Sequence, residues 1–126
     1  LDSLVEELLR TETPVVMVPR LVAQDATIGG VEVKAGDTAV ILIGAADTDS
    51  DEFPDAESVD LAREKNRHVA FGAGPHRCLG SHLARMELRV AIEEFHKRIP
   101  DYRIQADVDL HFSPAIRQAV DLRLEW

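Results

Sequence analysis

The sequence has only one cysteine, Cys78, among its 126 residues, and this scarcity excludes several kinds of site. A single thiol cannot build a disulfide framework, a four-thiolate zinc site or an all-cysteine iron–sulfur cluster within the chain. Long apolar runs are also missing, since the longest, residues 39–46, is far shorter than the ~20 residues that a membrane-spanning helix needs. We therefore expect no membrane anchor and a reducing, cytoplasmic location.

Positive charge is scarce as well. The chain has 14 Lys and Arg residues against 23 Asp and Glu residues, which gives a net charge of −9. This balance favours solubility and argues against nucleic-acid binding, because phosphate contacts need clustered basic residues.

We treat residues 1–126 as a single segment. Because the chain begins at Leu1, inside a pattern typical of a helix, we expect it to be a fragment of a longer protein.

The first third of the chain changes its hydrophobic period. Residues 2–12 place apolar side chains at helical spacing and are followed by Pro14, which predicts a short buried helix. Residues 15–43 have the pattern of short strands, with turns at Gly29–Gly30 and Gly36–Asp37. This part is predicted to form a small sheet.

The remainder predicts a loop, a long helix and further strands. Residues 46–67 are polar and predict an ordered loop held by Phe53 and Pro54. Residues 79–98 carry a broad apolar face and form the longest predicted helix. Residues 102–126 look like short strands with a turn at Ser113–Pro114. The fold class is therefore α+β.

The lone cysteine lies in the glycine-containing stretch AFGAGPHRCLGSHLAR, residues 70–85. Cys78 is at the start of the long predicted helix, where free backbone N–H groups and the positive end of the helix dipole favour an anionic thiolate. Gly72, Gly74 and Gly80 permit backbone conformations and close approaches that a side chain would block. A flat macrocycle lying against this loop would require both.

Other side chains of this region suit the same kind of ligand. Phe71 can pack on the face of a ring, and His76 can place a donor near a carboxylate at its periphery. Arg20 can supply a second, fixed positive charge. Together with Cys78 these residues describe a haem site, in which an axial thiolate pushes electron density onto the iron and favours O–O cleavage.

The segment Phe71–Gly80, FGAGPHRCLG, resembles the haem-ligand signature F-G-x-G-x-H-x-C-x-G of the cytochrome P450 family, with every fixed position present. Glu7 and Arg10 supply the family's E-x-x-R, although such an i,i+3 pair is common on any helix. The resemblance covers the whole chain and is to soluble bacterial members. It implies the C-terminal segment of the P450 fold: the E-x-x-R helix, a small β-sheet, a meander, the cysteine loop, a long helix and a C-terminal β-hairpin, all part of a mainly α protein.

The resemblance also implies a cofactor and a reaction. Haem b, iron protoporphyrin IX, would be ligated through its iron by the catalytic Cys78, with His76 and Arg20 on its propionates. Glu7 and Arg10 would brace the loop. The reaction implied is insertion of one oxygen atom from O2 into an apolar organic substrate, with electrons from NAD(P)H through a ferredoxin or similar donor, or a peroxide-driven variant. The remaining residues assigned to cofactor binding are Phe71, Gly72 and Gly80.

The meander is the polar loop of residues 46–67, and the chain departs from the family pattern at two places there, one in FPDAESVD and one in AADTD. Ser58 stands where bacterial relatives usually have arginine, so we expect the third member of a buried Glu-Arg-Arg network to be absent. Asp47 stands where many relatives have asparagine. The family's remaining helices, including the one across the distal face of the haem, would precede Leu1. We therefore expect the upstream distal half to be absent and the 126 residues alone to be inactive.

Two surfaces are candidates for contacts with other molecules. Val15, Val16 and Ile116 match places where relatives contact substrate, although apolar strands are often simply core. Arg77 and Arg85 belong to a group of basic residues that can steer an acidic electron donor, and a merely solvated helix face is an equal alternative. The other members of this basic group are Arg63, Lys65, Arg67 and Arg89.

Less specific interpretations remain open beside the haem site. A lone cysteine is ordinarily a small buried hydrophobe, and His76 could simply satisfy loop backbone groups. Cys78 with His82 could ligate zinc, but two ligands are too few for a site. A nucleophilic dyad with His68 or His82 has no nameable orienting residue. In the competing interpretation the chain is truncated and non-catalytic. It either binds haem weakly, or stays in the apo form and self-associates through exposed apolar surface.

Overall fold

The structure is a computed structural model that describes residues 1–106, 111–112, 115–120 and 122–126. Its architecture is α+β, as the sequence predicts. The helices of the described ranges are α1 (Asp2–Thr11), α2 (Ile43–Asp47) and α3 (Ser81–Arg98), with a 3-10 turn at Gly74–His76. The strands are β1 (Met17–Leu21), β2 (Ala26–Ile28), β3 (Val31–Val33), β4 (Thr38–Leu42), β5 (Arg103–Ile104), β6 (His111–Phe112), β7 (Ala119–Val120) and β8 (Leu124–Glu125).

Helix α1 organises the small hydrophobic core. Its periodic side chains Val5 and Leu9 are buried together with Ala70 of the cysteine loop. Phe71, from the same loop, and Ile92, from α3, pack against this group. The spacing of four residues puts Val5 and Leu9 on one face of the helix, so that this face holds the cysteine loop and α3 together.

The strands of the first half form two separate pairs instead of the single small sheet that the sequence predicted. Strand β1 pairs antiparallel with β4, with Met17 opposite Leu42. Strands β2 and β3 form their own hairpin, closed by Gly29 and Gly30 at φ values of 56° and 82°. The tight turn between them requires this left-handed backbone, which glycine adopts without steric penalty. The hairpin therefore pairs with itself and does not extend the β1–β4 pair.

The polar loop of residues 46–67 is ordered around Phe53, as expected, whereas Pro54, the second predicted anchor, is exposed. The Phe53 side chain is only 2% exposed, and burial of a phenylalanine contributes about 1.5–3 kcal/mol. The guanidinium carbons of Arg10 and Arg63 lie 5.2 and 5.8 Å from the centre of its ring. Helix α2, which includes the first two residues of this loop, was not predicted; its first and last residues, Ile43 and Asp47, are buried.

Helix α3 begins at Ser81, two residues later than the predicted Leu79. Its predicted apolar face is largely exposed, because Leu83, Met86 and Val90 are each about half accessible. Ser81 is the only buried residue of α3 in the described structure. Periodicity identified the apolar side of this helix correctly but did not show which elements cover it.

The end of the chain folds back onto the segment that follows α1. Strands β5 and β8 pair antiparallel, as do β6 and β7, which agrees with the predicted C-terminal hairpin. Val15 forms an isolated antiparallel bridge with Ile116. The predicted turn at Ser113–Pro114 lies outside the described residues. Among the helices that the structure describes, none is long and apolar enough to cross a bilayer.

Candidate functional site

The cysteine loop closes on itself through backbone hydrogen bonds. The Cys78 N–H donates to the Phe71 carbonyl oxygen at 2.8 Å, and the Gly72 N–H donates to the Val69 carbonyl oxygen at 2.7 Å. The Cys78 side chain is exposed and lies just before α3, which begins at Ser81. The loop thus presents an accessible sulfur atom and ties the backbone of Cys78 to that of Phe71.

Of the three glycines in the loop, Gly72 has the most specific requirement. Its φ is 68°, and a Cβ atom added to it would lie 3.1 Å from the His76 carbonyl oxygen. Gly74 also has a positive φ, 58°, but no atom within 4 Å of an added Cβ. Gly80 has a φ of −80°, and an added Cβ would make an ordinary contact of 3.9 Å with Cys78 Sγ. The loop conformation therefore demands glycine at residues 72 and 74 and makes no such demand at residue 80.

A mainly apolar cavity of about 520 Å³ lies next to this loop. Its volume falls in the range of roughly 300–1,000 Å³ that is usual for small-molecule and cofactor sites. Three polar side chains, Cys78, His76 and Arg20, are part of its lining. The apolar part includes Val15, Val18, Ile41, Ile43, Ala70 and Phe71.

The residues of this cavity fit an iron porphyrin. A porphyrin needs apolar contacts for its ring, a ligand for its iron and cationic or hydrogen-bonding groups for its propionates. The apolar lining, the exposed Cys78 thiol, and His76 with Arg20 offer these three features. Arg20 Nη1 donates to the carbonyl oxygen of its neighbour Pro19, at 2.9 Å, and its side chain is exposed.

The candidate substrate residues lie near one another, but they do not all face the same cavity. Val15 lines the 520 Å³ cavity, and its backbone is bridged to Ile116. Val16 lines a second cavity of about 350 Å³, where its Cγ1 packs against Gly44. Neighbouring residues of an extended segment point to opposite sides, which explains this division.

A buried network surrounds Glu7, whose side chain is 1% exposed. Arg10 binds it at both oxygens, with Nε to Oε1 at 2.9 Å and Nη2 to Oε2 at 3.0 Å. Arg63 Nε and Asn66 Nδ2 donate to Oε1 at 3.0 and 2.9 Å, and the Asp60 N–H donates to Oε2 at 2.7 Å. Burial disfavours the charged form of Glu7, but the hydrogen bonds from Arg10 and Asp60 and the positive charges lower its pKa to about 2.

The expectation that this network lacks a third charged member is wrong. Arg63 supplies it, and its side chain is 8% exposed, so it is not part of the exposed basic group. Ser58 contributes its carbonyl oxygen instead, which accepts from Arg10 Nη2 at 2.9 Å. Arg10 Nη1 completes the network through the carbonyl oxygens of Asp47 and Ala56, at 3.0 and 2.6 Å. The prediction failed because the fold of the meander brings residue 63 to the carboxylate and leaves only the backbone of residue 58 there.

Asp47, the second departure from the family pattern, is fully buried. Its Oδ2 accepts from Thr13 Oγ1 at 3.0 Å, and its Oδ1 accepts from the Val69 N–H at 2.6 Å. Burial raises the pKa of Asp47, and the two hydrogen bonds oppose that rise. Asp47 thus connects the end of α1 to the start of the cysteine loop, a contact between distant residues that no local sequence signal indicates.

Several residues of the predicted basic group have acidic partners. Arg85 forms a pair with Glu6, with Nε to Oε1 at 2.6 Å and Nη2 to Oε2 at 2.9 Å. Arg89 lies 3.5 Å from Asp2. Arg77 is exposed in the cysteine loop. The positive charge available to an external partner at Arg85 and Arg89 is therefore reduced by charges of α1.

The structure does not support a nucleophilic dyad between Cys78 and His68. His68 Nε2 lies 2.9 Å from Glu6 Oε2, and His68 Nδ1 accepts from the Ala70 N–H at 3.2 Å. Both ring nitrogens are therefore engaged by groups other than the thiol.

A closed loop that presents one cysteine to an apolar cavity with two basic side chains has the chemistry that a thiolate-ligated cofactor requires. Residues 1–98 match the sequence profile of the cytochrome P450 family. The chain belongs to this family, whose members bind haem. The family match covers the E-x-x-R helix, the cysteine loop and the whole of α3.

Named relatives and solved structures agree with this assignment. The chain is 44% identical over its whole length to the 20-oxo-5-O-mycaminosyltylactone 23-monooxygenase of Streptomyces fradiae, of which it covers 31%. It is 37% identical to the steroid C26-monooxygenase of Mycolicibacterium smegmatis over 91% of its length, covering 29% of that protein. The crystal structure of the cytochrome P450 CYP109B1 from Bacillus subtilis superposes on 99% of the chain with a TM-score of 0.93 at 30% identity, and 34% of that structure is covered. The chain thus spans about a third of these proteins.

Proposed function

We propose that the full-length protein containing this chain is a haem-thiolate monooxygenase. It would insert one oxygen atom from O2 into an apolar organic substrate, while the other oxygen atom is reduced to water. The observation that carries this proposal is the exposed Cys78, within a complete haem-ligand motif, at the apolar cavity of about 520 Å³. Membership of the P450 family and relatives named as monooxygenases support it.

Each residue of the cavity has a distinct task in this proposal. Cys78 would ligate the haem iron, and the bound haem supplies O2 activation, which a thiolate ligand promotes. Phe71 and Gly72 would contact the cofactor from the loop, and His76 with Arg20 would bind its propionates through charge-assisted hydrogen bonds. Gly80 would contact the cofactor beside the sulfur, since a Cβ added to it would lie 3.9 Å from Cys78 Sγ.

The buried residues around Glu7 would keep the loop in place. Arg10 connects α1 to three carbonyl oxygens of the meander and α2, and Arg63 returns from the meander to Glu7. A fixed meander in turn holds residues 66–70, which lead directly into the cysteine loop. Glu7 and Arg10 therefore have a bracing role that does not require contact with the cofactor.

The chemistry of the cavity and the relatives support a proposal for the substrate and the electron donor. An apolar substrate suits Val15 and the neighbouring Ile116, with Val16 one residue further on the same segment. Two relatives are named for a mycaminosyltylactone and for a steroid, both large organic molecules. Electrons from NAD(P)H would arrive through an acidic ferredoxin or similar donor that meets exposed basic residues such as Arg77. The cytoplasmic location stays a prediction.

Incubation of the full-length protein with isotopically heavy O2 tests the proposal. The haem-loaded protein is supplied with NADPH, a ferredoxin and its reductase, and a panel of steroids and macrolides. We expect a product that carries one heavy oxygen atom, and its loss in the Cys78→Ala variant. Failure of every substrate to gain oxygen, or equal product formation by Cys78→Ala, would contradict the proposal in favour of a non-catalytic, self-associating protein.

A further inference from the structure

A charged cluster packs against the ring of Phe71 and has no role in the site described above. Arg85 of α3 binds Glu6 of α1 through two hydrogen bonds, at 2.6 and 2.9 Å. The guanidinium carbon of Arg85 lies 4.7 Å from the centre of the Phe71 ring. This distance is typical of a cation–π contact, in which the planar guanidinium is attracted to the face of the ring.

The orientation of Glu6 is fixed from a second side. His68 Nδ1 accepts the Ala70 N–H at 3.2 Å, so the proton of the neutral ring is on Nε2 and is donated to Glu6 Oε2 at 2.9 Å. The His68 side chain is only 2% exposed. The hydrogen bond from Arg85 lowers the pKa of Glu6, against burial, and the hydrogen bond from His68 lowers it further. Glu6 therefore accepts as a carboxylate from donors on α3 and on the segment just before the cysteine loop.

Phe71 connects the pair of Glu6 and Arg85 to Cys78. Its carbonyl oxygen accepts the Cys78 N–H at 2.8 Å, so a displacement of Phe71 would move the backbone that carries the sulfur. Arg85 Nη1 also contacts the carbonyl oxygen of Ser81, the first residue of α3, at 3.3 Å. Arg85 thus touches the chain on both sides of Cys78.

We propose that Glu6 and Arg85 are positioning residues for Cys78: together they hold the Phe71 ring and, through the Phe71 carbonyl, fix the sulfur relative to the cofactor. This proposal rests on haem ligation by Cys78, as stated under the proposed function. It gives Arg85 a task inside the protein and leaves Arg77 as the better candidate for contact with an electron donor.

The chain offers a matched control for Arg85. Arg89 lies one helical turn further along α3 and also pairs with an acidic residue of α1, Asp2, at 3.5 Å. Substitution of either arginine by methionine removes one positive charge from the same side of the protein. A third variant, Arg85→Lys, keeps the charge but loses the planar guanidinium that stacks on a ring and binds a carboxylate at two points.

The test compares full-length, haem-loaded variants by readouts other than activity. These are the reduction potential of the haem, the absorption spectrum of the reduced carbon monoxide complex, and the rate of haem release to an excess of a haem-scavenging protein. We expect Arg85→Met and Glu6→Gln to shift the potential in the same direction and to release haem several-fold faster. Arg85→Lys should show a smaller change of the same sign, and Arg89→Met should match the wild type.

The effects of the Glu6→Gln and Arg85→Met substitutions should not be additive. Since Glu6 acts through Arg85, the double variant Glu6→Gln/Arg85→Met should resemble Arg85→Met alone. Equal potentials, spectra and release rates in Arg85→Met and Arg89→Met would overturn the positioning role, as would a loss of folding stability without any shift in potential or spectrum. If the wild type itself lacks the spectrum of a thiolate-ligated haem, the proposed function fails and this proposal fails with it.

Discussion

Arg63 Nε donates to Glu7 Oε1 at 3.0 Å, and this contact joins residues that are 56 positions apart in the sequence. With Arg10 on the same carboxylate, two guanidinium groups share one buried acid. A buried charge is tolerated only where its partners replace the lost hydration, and here every partner comes from α1 or from the meander. The network therefore couples the fold of the meander to the helix that supports the cysteine loop.

Substitution of Arg63 by methionine should destabilise the full-length protein. The change removes a hydrogen-bonded cation from a buried carboxylate, for which losses of about 3–5 kcal/mol are typical. The exposed Arg67, which is 3.5 Å from Glu52, provides the control, and Arg67→Met should change stability by about 0.5 kcal/mol or less. Urea unfolding of both variants measures the difference. Equal unfolding midpoints for the two variants would show that Arg63 is not a member of the network.

The Glu7 carboxylate should make stability depend on pH in the acidic range. Its pKa is lowered from 4.5 to about 2 in the folded protein, although burial opposes this change. The resulting contribution, on the order of 3 kcal/mol, is present above the unfolded-state pKa and is lost as the pH falls towards the folded-state value. Glu7→Gln should be less stable at neutral pH and should have a flatter acid profile. An acid profile as steep as that of the wild type would contradict this account.

The contribution of Asp47 to folding stability should depend on pH in the opposite direction to that of Glu7, and Asp47→Asn should remove it. Burial raises the pKa of Asp47 in the folded protein, so ionisation of this group opposes folding as the pH rises through the folded-state value. An asparagine at residue 47 keeps an oxygen acceptor for the Val69 N–H, and its amide group can donate to Thr13 Oγ1. The Thr13 hydroxyl can then donate its proton to the Arg10 carbonyl oxygen, at 2.8 Å.

The difference in unfolding free energy between Asp47→Asn and the wild type is the relevant measurement. We expect the variant to be favoured most at mildly alkaline pH, with an advantage that shrinks as the pH is lowered towards the unfolded-state pKa. The difference cancels the contribution of Glu7, which both proteins share. An advantage that grows on acidification would refute a raised pKa for Asp47.

Gly72→Ala should disturb the cysteine loop more than a comparable change elsewhere. The added Cβ would lie 3.1 Å from the His76 carbonyl oxygen. In addition, alanine would have to adopt the left-handed backbone conformation of residue 72, which costs an L-residue about 1–2 kcal/mol. Gly30→Ala in the β2–β3 hairpin has the same backbone penalty but no atom within 4 Å of the new Cβ. We expect only Gly72→Ala to weaken haem binding, as measured by haem release. Similar haem release from both variants would contradict a specific requirement at residue 72.

Local signals in the sequence predicted the elements well. The spacing of Val5 and Leu9 predicted α1, the Gly29–Gly30 pair predicted a turn between strands, and the glycines around Cys78 predicted a loop before the long helix. These features depend on residues that are neighbours in the chain. Phe53 was also predicted to hold the meander, and its side chain is buried, as is usual for phenylalanine.

Contacts between distant residues could not be predicted in the same way. Nothing near Arg63 distinguishes it from the exposed basic residues around it, because its role depends on the path of the meander back to Glu7. The same holds for Asp47, which the fold places beside Val69, and for Arg85, whose partner Glu6 is 79 residues away. The apolar side of α3 shows the converse, since its periodicity was predicted correctly although this side is exposed in the described structure.

The spectrum of the reduced carbon monoxide complex tests the central claim most directly, because it distinguishes thiolate from imidazole ligation of the haem. We predict that the full-length protein shows the thiolate form, and that Cys78→Ala loses it while a surface control, Arg89→Met, keeps it. A Cys78→Ala protein that binds haem with the unchanged thiolate-type spectrum would show that another group ligates the iron, and would contradict the account.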